Sequence, residues 1–298
     1  MKTQRIIDAH VHIGRSLNFD MKETDVLEAM KKYNIEKVLV SNSESAEADH
    51  EQKILPQELQ ISQVKSLEKS IKFAKENPGK VYVAPWFKPK TEKISDELIN
   101  LIQNNLDVIK AVKFHPYHSA LDFDDPLMNP YLDLAEQFNL PVITHTGTGE
   151  NDCPEKVYNM AKSFPKVNFI MAHMGLGSDN VIATELIALL PNLFGDTAWV
   201  SMESTINFIK KIGSQKLFFG TDLPIDGIDT YHHNPRGERS LYQDYFEKLP
   251  EFISQEDYDE FIKTNDLEYI DSYSFDYAPK SFEELLALMI NEYKKNFN

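Results

Sequence analysis

Apolar residues along the chain follow two alternating rhythms. Short β-branched or aromatic runs, read as strands, occupy Arg5 to His12, Lys37 to Ser41, Val81 to Trp86, Ile109 to His115, Pro141 to His145, Asn168 to His173, Leu193 to Thr197 and Lys216 to Asp222. Between them Asp25 to Tyr33, Gln63 to Asn77, Ser95 to Asn104, Tyr131 to Phe138, Glu155 to Phe164, Val181 to Leu190 and Ser204 to Ile212 place apolar residues at helical three- and four-residue spacing. Such alternation predicts βα units on a parallel sheet. Eight strands with intervening helices predict the α/β class in its closed form, a (β/α)8 TIM barrel, rather than an open sheet. Pro141 opens its run, where a missing backbone donor costs little.

A chain of 298 residues exceeds the roughly 250 of a typical barrel. The expectation is one domain over 1–298, with an extended polar and aromatic segment at 226–253 and a C-terminal helical extension at 254–298. Its helices are read at Ser254 to Thr264 and Ser281 to Asn296. Composition narrows the class further. Hydrophobic residues make up 42% and charged residues 26%, the profile of a soluble globular enzyme. The 31 basic against 47 acidic side chains give a net charge of −16, with no basic stripe interleaved with aromatics, which argues against nucleic-acid partners. The single cysteine, Cys153, fits a reducing compartment. No apolar run reaches the length of about 20 residues needed to span a bilayer, so the expected setting is cytoplasmic.

In a parallel barrel the C-terminal strand ends open into one mouth. Here those ends read Asp8-Ala9-His10-Val11-His12, Lys113-Phe114-His115-Pro116, Thr144-His145-Thr146-Gly147, Ala172-His173-Met174-Gly175 and Gly220-Thr221-Asp222-Leu223-Pro224. Residues two apart on a strand share a face, about 6 to 7 Å apart along the backbone, which suits His10 and His12 as two ligands of one cation. Imidazoles, one carboxylate and an open position describe a catalytic rather than a structural divalent metal site. A lone His-X-His is a weak signal. Together with His145, His173 and Asp222 on separate strands it becomes a constellation.

These motifs, with Val112-Lys113-Phe114-His115-Pro116 and Phe219-Gly220-Thr221-Asp222-Leu223-Pro224, resemble the amidohydrolase superfamily over nearly the whole chain. The closer likeness is to its branch of metal-dependent hydrolases that includes the aminocarboxymuconate-semialdehyde decarboxylase group. The resemblance implies that His10, His12, His145 and Asp222 ligate one metal, with His173 binding a second ion or polarising substrate and water. It implies one or two divalent ions, zinc first and manganese or iron as alternatives. Water activated near pH 7 would attack the substrate while Asp222 takes its proton and returns it to the leaving group. Lys113 occupies the place of a carbamylated bridging lysine in some relatives; the alternatives are a free ammonium gripping a substrate carboxylate and a lysine paired with a mouth carboxylate.

His115 shares the face of Lys113 and is expected at the mouth, against substrate or as an acid. His118 is expected to be solvated, Arg236 and Arg239 to meet an anionic small molecule, and His232 and His233 to lie in the same segment, which a solvated loop would explain equally well. The Thr146-Gly147-Thr148-Gly149 run lacks a Walker lysine and reads as a catalytic-face loop. Asp196-Thr197 either lines the pocket or bonds structurally. Three functions follow: hydrolysis of an ester, lactone, amide or phosphoester; non-oxidative decarboxylation of an aromatic or unsaturated acid; and a non-catalytic metal-binding barrel. Partners are a small-molecule substrate and, for some barrels of this kind, a second copy of the chain.

Overall fold

A computed structural model describes residues 6–17, 19–225, 227–228 and 241–264. The strands are β1 (Ile6–Ser16), β2 (Phe19–Met21), β3 (Ile35–Asn42), β4 (Val81–Val83), β5 (Val112–Phe114), β6 (Val142–Gly147), β7 (Phe169–Leu176), β8 (Leu193–Asp196) and β9 (Leu217–Phe218). The helices are α1 (Glu23–Tyr33), α2 (Gln63–Glu76), α3 (Asp96–Gln103), α4 (Pro116–Ser119), α5 (Asn129–Gln137), α6 (Pro154–Ser163), α7 (Val181–Leu189), α8 (Met202–Ile212), α9 (Leu241–Gln243) and α10 (Gln255–Thr264). All eight predicted strand runs form. Among the strands described, the one that sequence pattern did not reveal is β2, a three-residue strand folded antiparallel onto the end of β1, with Gly14 opposite Met21; the short helices α4 and α9 were likewise not foreseen.

Parallel ladders run β1–β3–β4 and β5–β6–β7–β8–β9. Two seams join them. At one, Val83 bridges Ile109 and Trp86 bridges Lys113. At the other, Ala9 N–H donates to the Phe219 carbonyl (2.9 Å), Asp222 N–H to that of His10 (2.8 Å) and His12 N–H to that of Leu223 (2.7 Å). The second seam closes the barrel and brings the first and last strands side by side, each carrying candidate site residues.

Two apolar layers hold this frame. Inside the barrel Ile7, Ala9, Leu39, Ala84, Ala111, Ile143, Ile170, Ala172, Phe194 and Phe218 pack together, as alternate positions of successive strands should. The opposite strand faces pack on the helices in a larger core that includes Val38, Val40, Leu67, Ile71, Val142, Phe169 and Phe208. Helix starts follow local chemistry. The Ser95 hydroxyl accepts from Leu98 N–H ahead of Asp96 and Glu97, so α3 begins with a cap and acidic charge at the positive end of its dipole. Ser62 and Ser201 cap α2 and α8 in the same way.

Beyond the barrel, Tyr242 on α9 reaches back to β1, where its hydroxyl donates to Asp8 Oδ2 at 2.7 Å beside that of Thr221 at 2.6 Å. Asp8 Oδ1 accepts from the backbone N–H groups of His10 and Thr221. Burial pushes this carboxyl up to about 7 despite those four donors. Of the expected extension, α10 is present; the expected helix at 281–296 lies outside the described residues, as do His232, His233, Arg236 and Arg239. No helix among the described residues is long and apolar enough to cross a membrane.

Candidate active site

Strict alternation along β1 would not put Ala9 inside the barrel and both His10 and His12 at its mouth. The register between β1 and β3 shifts between Asp8 and Val11. This irregularity re-aims the strand: Ile7 and Ala9 stay in the inner layer, Val11 joins the outer core, and the two imidazoles turn to one point. Their Nε2 atoms lie 3.2 Å apart. Asp222 Oδ1 completes the cluster, 2.9 Å from His12 Nε2 and 3.3 Å from His10 Nε2.

The other ring nitrogens are engaged elsewhere. His10 Nδ1 lies 2.7 Å from Asp196 Oδ2, His12 Nδ1 2.8 Å from Ser41 Oγ, and His173 Nδ1 3.0 Å from the Ala198 carbonyl. With a carboxylate and a carbonyl as partners, the Nδ1 atoms of His10 and His173 carry the protons and each Nε2 keeps a lone pair. Donor atoms of His10, His173 and Asp222 all fall within 4.8 Å of one another. The buried Nε2 lone pairs of His10 and His173 beside the Asp222 carboxylate fit a divalent cation better than they fit one another. Such a cation would be held by His10, His12, His173 and Asp222. This set brings His173, expected to bind a second ion or polarise substrate and water, into the first cluster in place of His145, which turns its Nε2 toward Asp152 Oδ2 at 3.3 Å and leaves Nδ1 as its remaining ring nitrogen.

Lys113 brings the local positive charge. Fully buried, its Nζ donates to His10 Nε2 at 2.8 Å, a contact that none of the three expectations for this residue contained. Burial lowers its ammonium to about 8, against the pull of Asp222 and Asp196. Burial likewise lowers His173 to about 3, so it is neutral at physiological pH. For Asp222 burial acts upward, yet the facing rings of His10, His12 and His173 outweigh it and hold the carboxyl well below its usual range.

A cavity of about 460 Å³ opens above the cluster, lined by His12, Trp86, Lys113, His115, His145, His173 and Asp222 and reaching out to Phe19 and His118. His115 is at the mouth, as expected, sandwiched between Trp86 (ring centroids 5.2 Å apart, 11° between planes) and His145 (4.0 Å, 10°). Asp152 was missed by sequence reading. Its buried carboxylate lies so close to Gly147 and Gly149 that a Cβ at either would meet an oxygen at 2.7 Å, and its Oδ1 has no partner among the described residues. The catalytic-face loop read from Thr146-Gly147-Thr148-Gly149 is therefore the cradle of a carboxylate. Cys153, its neighbour, is held protonated by partial burial.

His118, expected to be solvated, is half-buried and hydrogen-bonded. Its Nδ1 bonds the Ala48 carbonyl at 3.1 Å, and its own carbonyl accepts from Glu47 and Ala48 N–H. Burial lowers it to about 4, with His145 and His50 adding to the effect. A neutral folded-state histidine gives stability that is complete above pH 6.5 and is lost as pH falls toward 4, because the unfolded chain takes the proton first. His118→Asn keeps a donor for Ala48 without the titration. Between pH 7 and pH 5 the natural protein should lose up to about 2 kcal/mol more unfolding free energy than the variant, read by urea titration at both pH values. Parallel losses would remove His118 from this account.

Among solved structures the chain is similar to a 5-carboxyvanillate decarboxylase from Novosphingobium aromaticivorans, determined with manganese and 4-hydroxy-3-methoxy-5-nitrobenzoic acid (11% identity, 90% of this chain and 96% of that one, TM-score 0.65). It is also similar to an uncharacterized TIM-barrel protein from Bordetella bronchiseptica (17%, 90% and 98%, TM-score 0.62) and to a 4-oxalomesaconate hydratase from Rhodopseudomonas palustris (14%, 98% and 99%, TM-score 0.60). At these identities the likeness is one of fold. No curated protein matches the chain. The amidohydrolase family matches residues 7–265, which span every strand of the barrel and every residue of the converging cluster, and the chain belongs to that family.

Proposed function

We propose that this protein is a metal-dependent hydrolase of a small molecule, and that His10, His12, His173 and Asp222 hold the ion, with His145 joining them through Nδ1. The observation that carries the reading is the convergence of the His10 and His12 Nε2 atoms on Asp222 Oδ1, beside His173, with the far ring nitrogens tied to Asp196, Ser41 and Ala198. When bound, a divalent ion such as zinc, or manganese or iron, supplies Lewis acidity and makes hydroxide available near neutral pH. Asp222, held ionised, is placed to accept a proton at Oδ1 and return it to a leaving group. Lys113 and the face of His115 bind substrate: the ammonium takes an anionic or carbonyl oxygen, and the stacked ring offers a flat wall.

One feature favours a second reading. Lys113 is a buried cation in a cavity walled by Trp86, His115 and His145, a setting that suits the carboxylate of a planar acid and hence non-oxidative decarboxylation. A 2,6-dihydroxybenzoate decarboxylase and a 5-carboxyvanillate decarboxylase are among the structures of like fold. Chelation should abolish turnover of esters, lactones and carboxylic acids in a substrate screen, and Zn²⁺ or Mn²⁺ should restore it. Run in ¹⁸O-water, a hydrolase incorporates label into product, whereas a decarboxylase releases carbon dioxide and incorporates none. Activity indifferent to chelation would overturn both readings.

A further inference from the structure

Three residues at the end of β8 and just after it, Asp196, Ala198 and Trp199, touch candidate ligands on β1, on β7 and in the segment beyond β9. Asp196 Oδ2 lies 2.7 Å from Nδ1 of His10 on β1. Asp196 Oδ1 accepts the backbone N–H of His173 on β7 at 2.8 Å and that of Ala198 at 3.1 Å. The Ala198 carbonyl lies 3.0 Å from His173 Nδ1, and the Trp199 indole N–H donates to Asp222 Oδ2 at 2.8 Å. The base of the loop is tied down as well: the Thr197 hydroxyl donates to the Gly220 carbonyl and accepts from its N–H, both at 3.0 Å, and Val200 N–H closes a turn on the Thr197 carbonyl at 3.1 Å.

Trp199 and Asp222 also share an uncommon backbone state. Their φ angles are +60° and +64°, in the left-handed region that bulky side chains avoid at a cost of order 1–3 kcal/mol. Such a conformation persists when its surroundings over-determine it, and here the indole–carboxylate bond joins the two residues. The bond also divides the carboxylate, since Oδ2 serves Trp199 while Oδ1 faces His10 and His12.

We propose that the Asp196–Trp199 loop is the shared positioning element of the metal site, and that Trp199 makes Asp222 a one-oxygen ligand by occupying Oδ2. This rests on the metal-site reading above. Trp199 is a positioning residue: it acts through Asp222.

The chain's two tryptophans, Trp86 and Trp199, allow a test without any substrate. In a Trp86→Phe background Trp199 is the sole tryptophan, and under selective tryptophan excitation Zn²⁺ titration of the metal-free protein should shift or quench its emission, saturating with the zinc affinity measured by a competing chromophoric chelator. Trp199→Phe, which keeps an aromatic ring and removes the donor, should weaken zinc binding about 10- to 100-fold. Asp196→Asn should weaken it within the same range. Wild-type affinity in Trp199→Phe, or emission that ignores bound zinc, overturns the proposal while leaving the metal site standing. If Trp199→Phe does not fold, the emission titration of the Trp86→Phe protein decides alone. Absence of zinc binding by the natural protein overturns the site and the proposal together.

Discussion

Asp222→Asn is expected to lower turnover by about 10³-fold or more in the presence of saturating metal. Side-chain acid–base catalysis contributes roughly 10²–10⁴-fold, and among the described residues this side chain is also the only carboxylate in the converging cluster. The substitution keeps shape while removing the negative charge that His10 and His12 face at Oδ1. An amide has one acceptor oxygen for two demands: if it serves the Trp199 N–H, an NH₂ donor meets the ring nitrogens of His12 and His10, and the reverse flip sets two donors against each other. The measurement is kcat on the substrate identified by the isotope screen, beside metal content of the same sample. A variant that retains metal and full turnover would take the proton role away from Asp222.

Gly220→Ala should weaken the site from a position with no chemistry of its own. A Cβ there would stand 2.7 Å from His10 Cβ and 3.3 Å from Asp196 Oδ2. Neither neighbour can move cheaply. His10 is fixed through its carbonyl, which accepts from Asp222, and through the bond of Nδ1 to Asp196; Gly220 itself is clamped on both sides by Thr197. Overpacking of this kind costs about 1–3 kcal/mol of stability, and displacement of His10 should weaken metal binding by about 10-fold or more. Gly79→Ala is the matched control: its φ is +75° and nothing lies within 4 Å of the added methyl, so it should lose stability through backbone strain while metal affinity stays unchanged. Equal metal affinity in the two variants would mean that the crowding at Gly220 is relieved elsewhere.

Much of this site was legible because a parallel barrel turns strand ends into a common address. His10, His12, Lys113, His115, His145, His173 and Asp222 each follow a recognisable strand run, and all seven line the cavity or its donor cluster. What periodicity could not supply is what loops decide. Asp196, whose sequence position allows either a pocket or a structural role, holds His10. Trp199 and Asp152 carried no sequence signal, since their placement depends on a turn with positive φ and on two glycines that admit a carboxylate. Ser41 looked like an ordinary strand residue until the neighbouring strand set it against His12 Nδ1. The three residues of β2 are too few for a rhythm, and the irregularity in β1 that lets adjacent positions share an interior is invisible to a strict two-residue period.

The hydrogen bonds that close the barrel between β1 and the segment beyond β9 set an order of events in the cell. His10 and Asp222 come from opposite ends of the described chain, and their meeting depends on Asp222 N–H reaching the His10 carbonyl and His12 N–H reaching that of Leu223. While the polypeptide is still emerging from the ribosome, the first strand waits with its imidazoles and without the carboxylate that completes their cluster. Loop closure over that separation comes late. Under the proposed metal-site reading the nascent chain would hold only part of the ligand set, which is complete once the barrel closes.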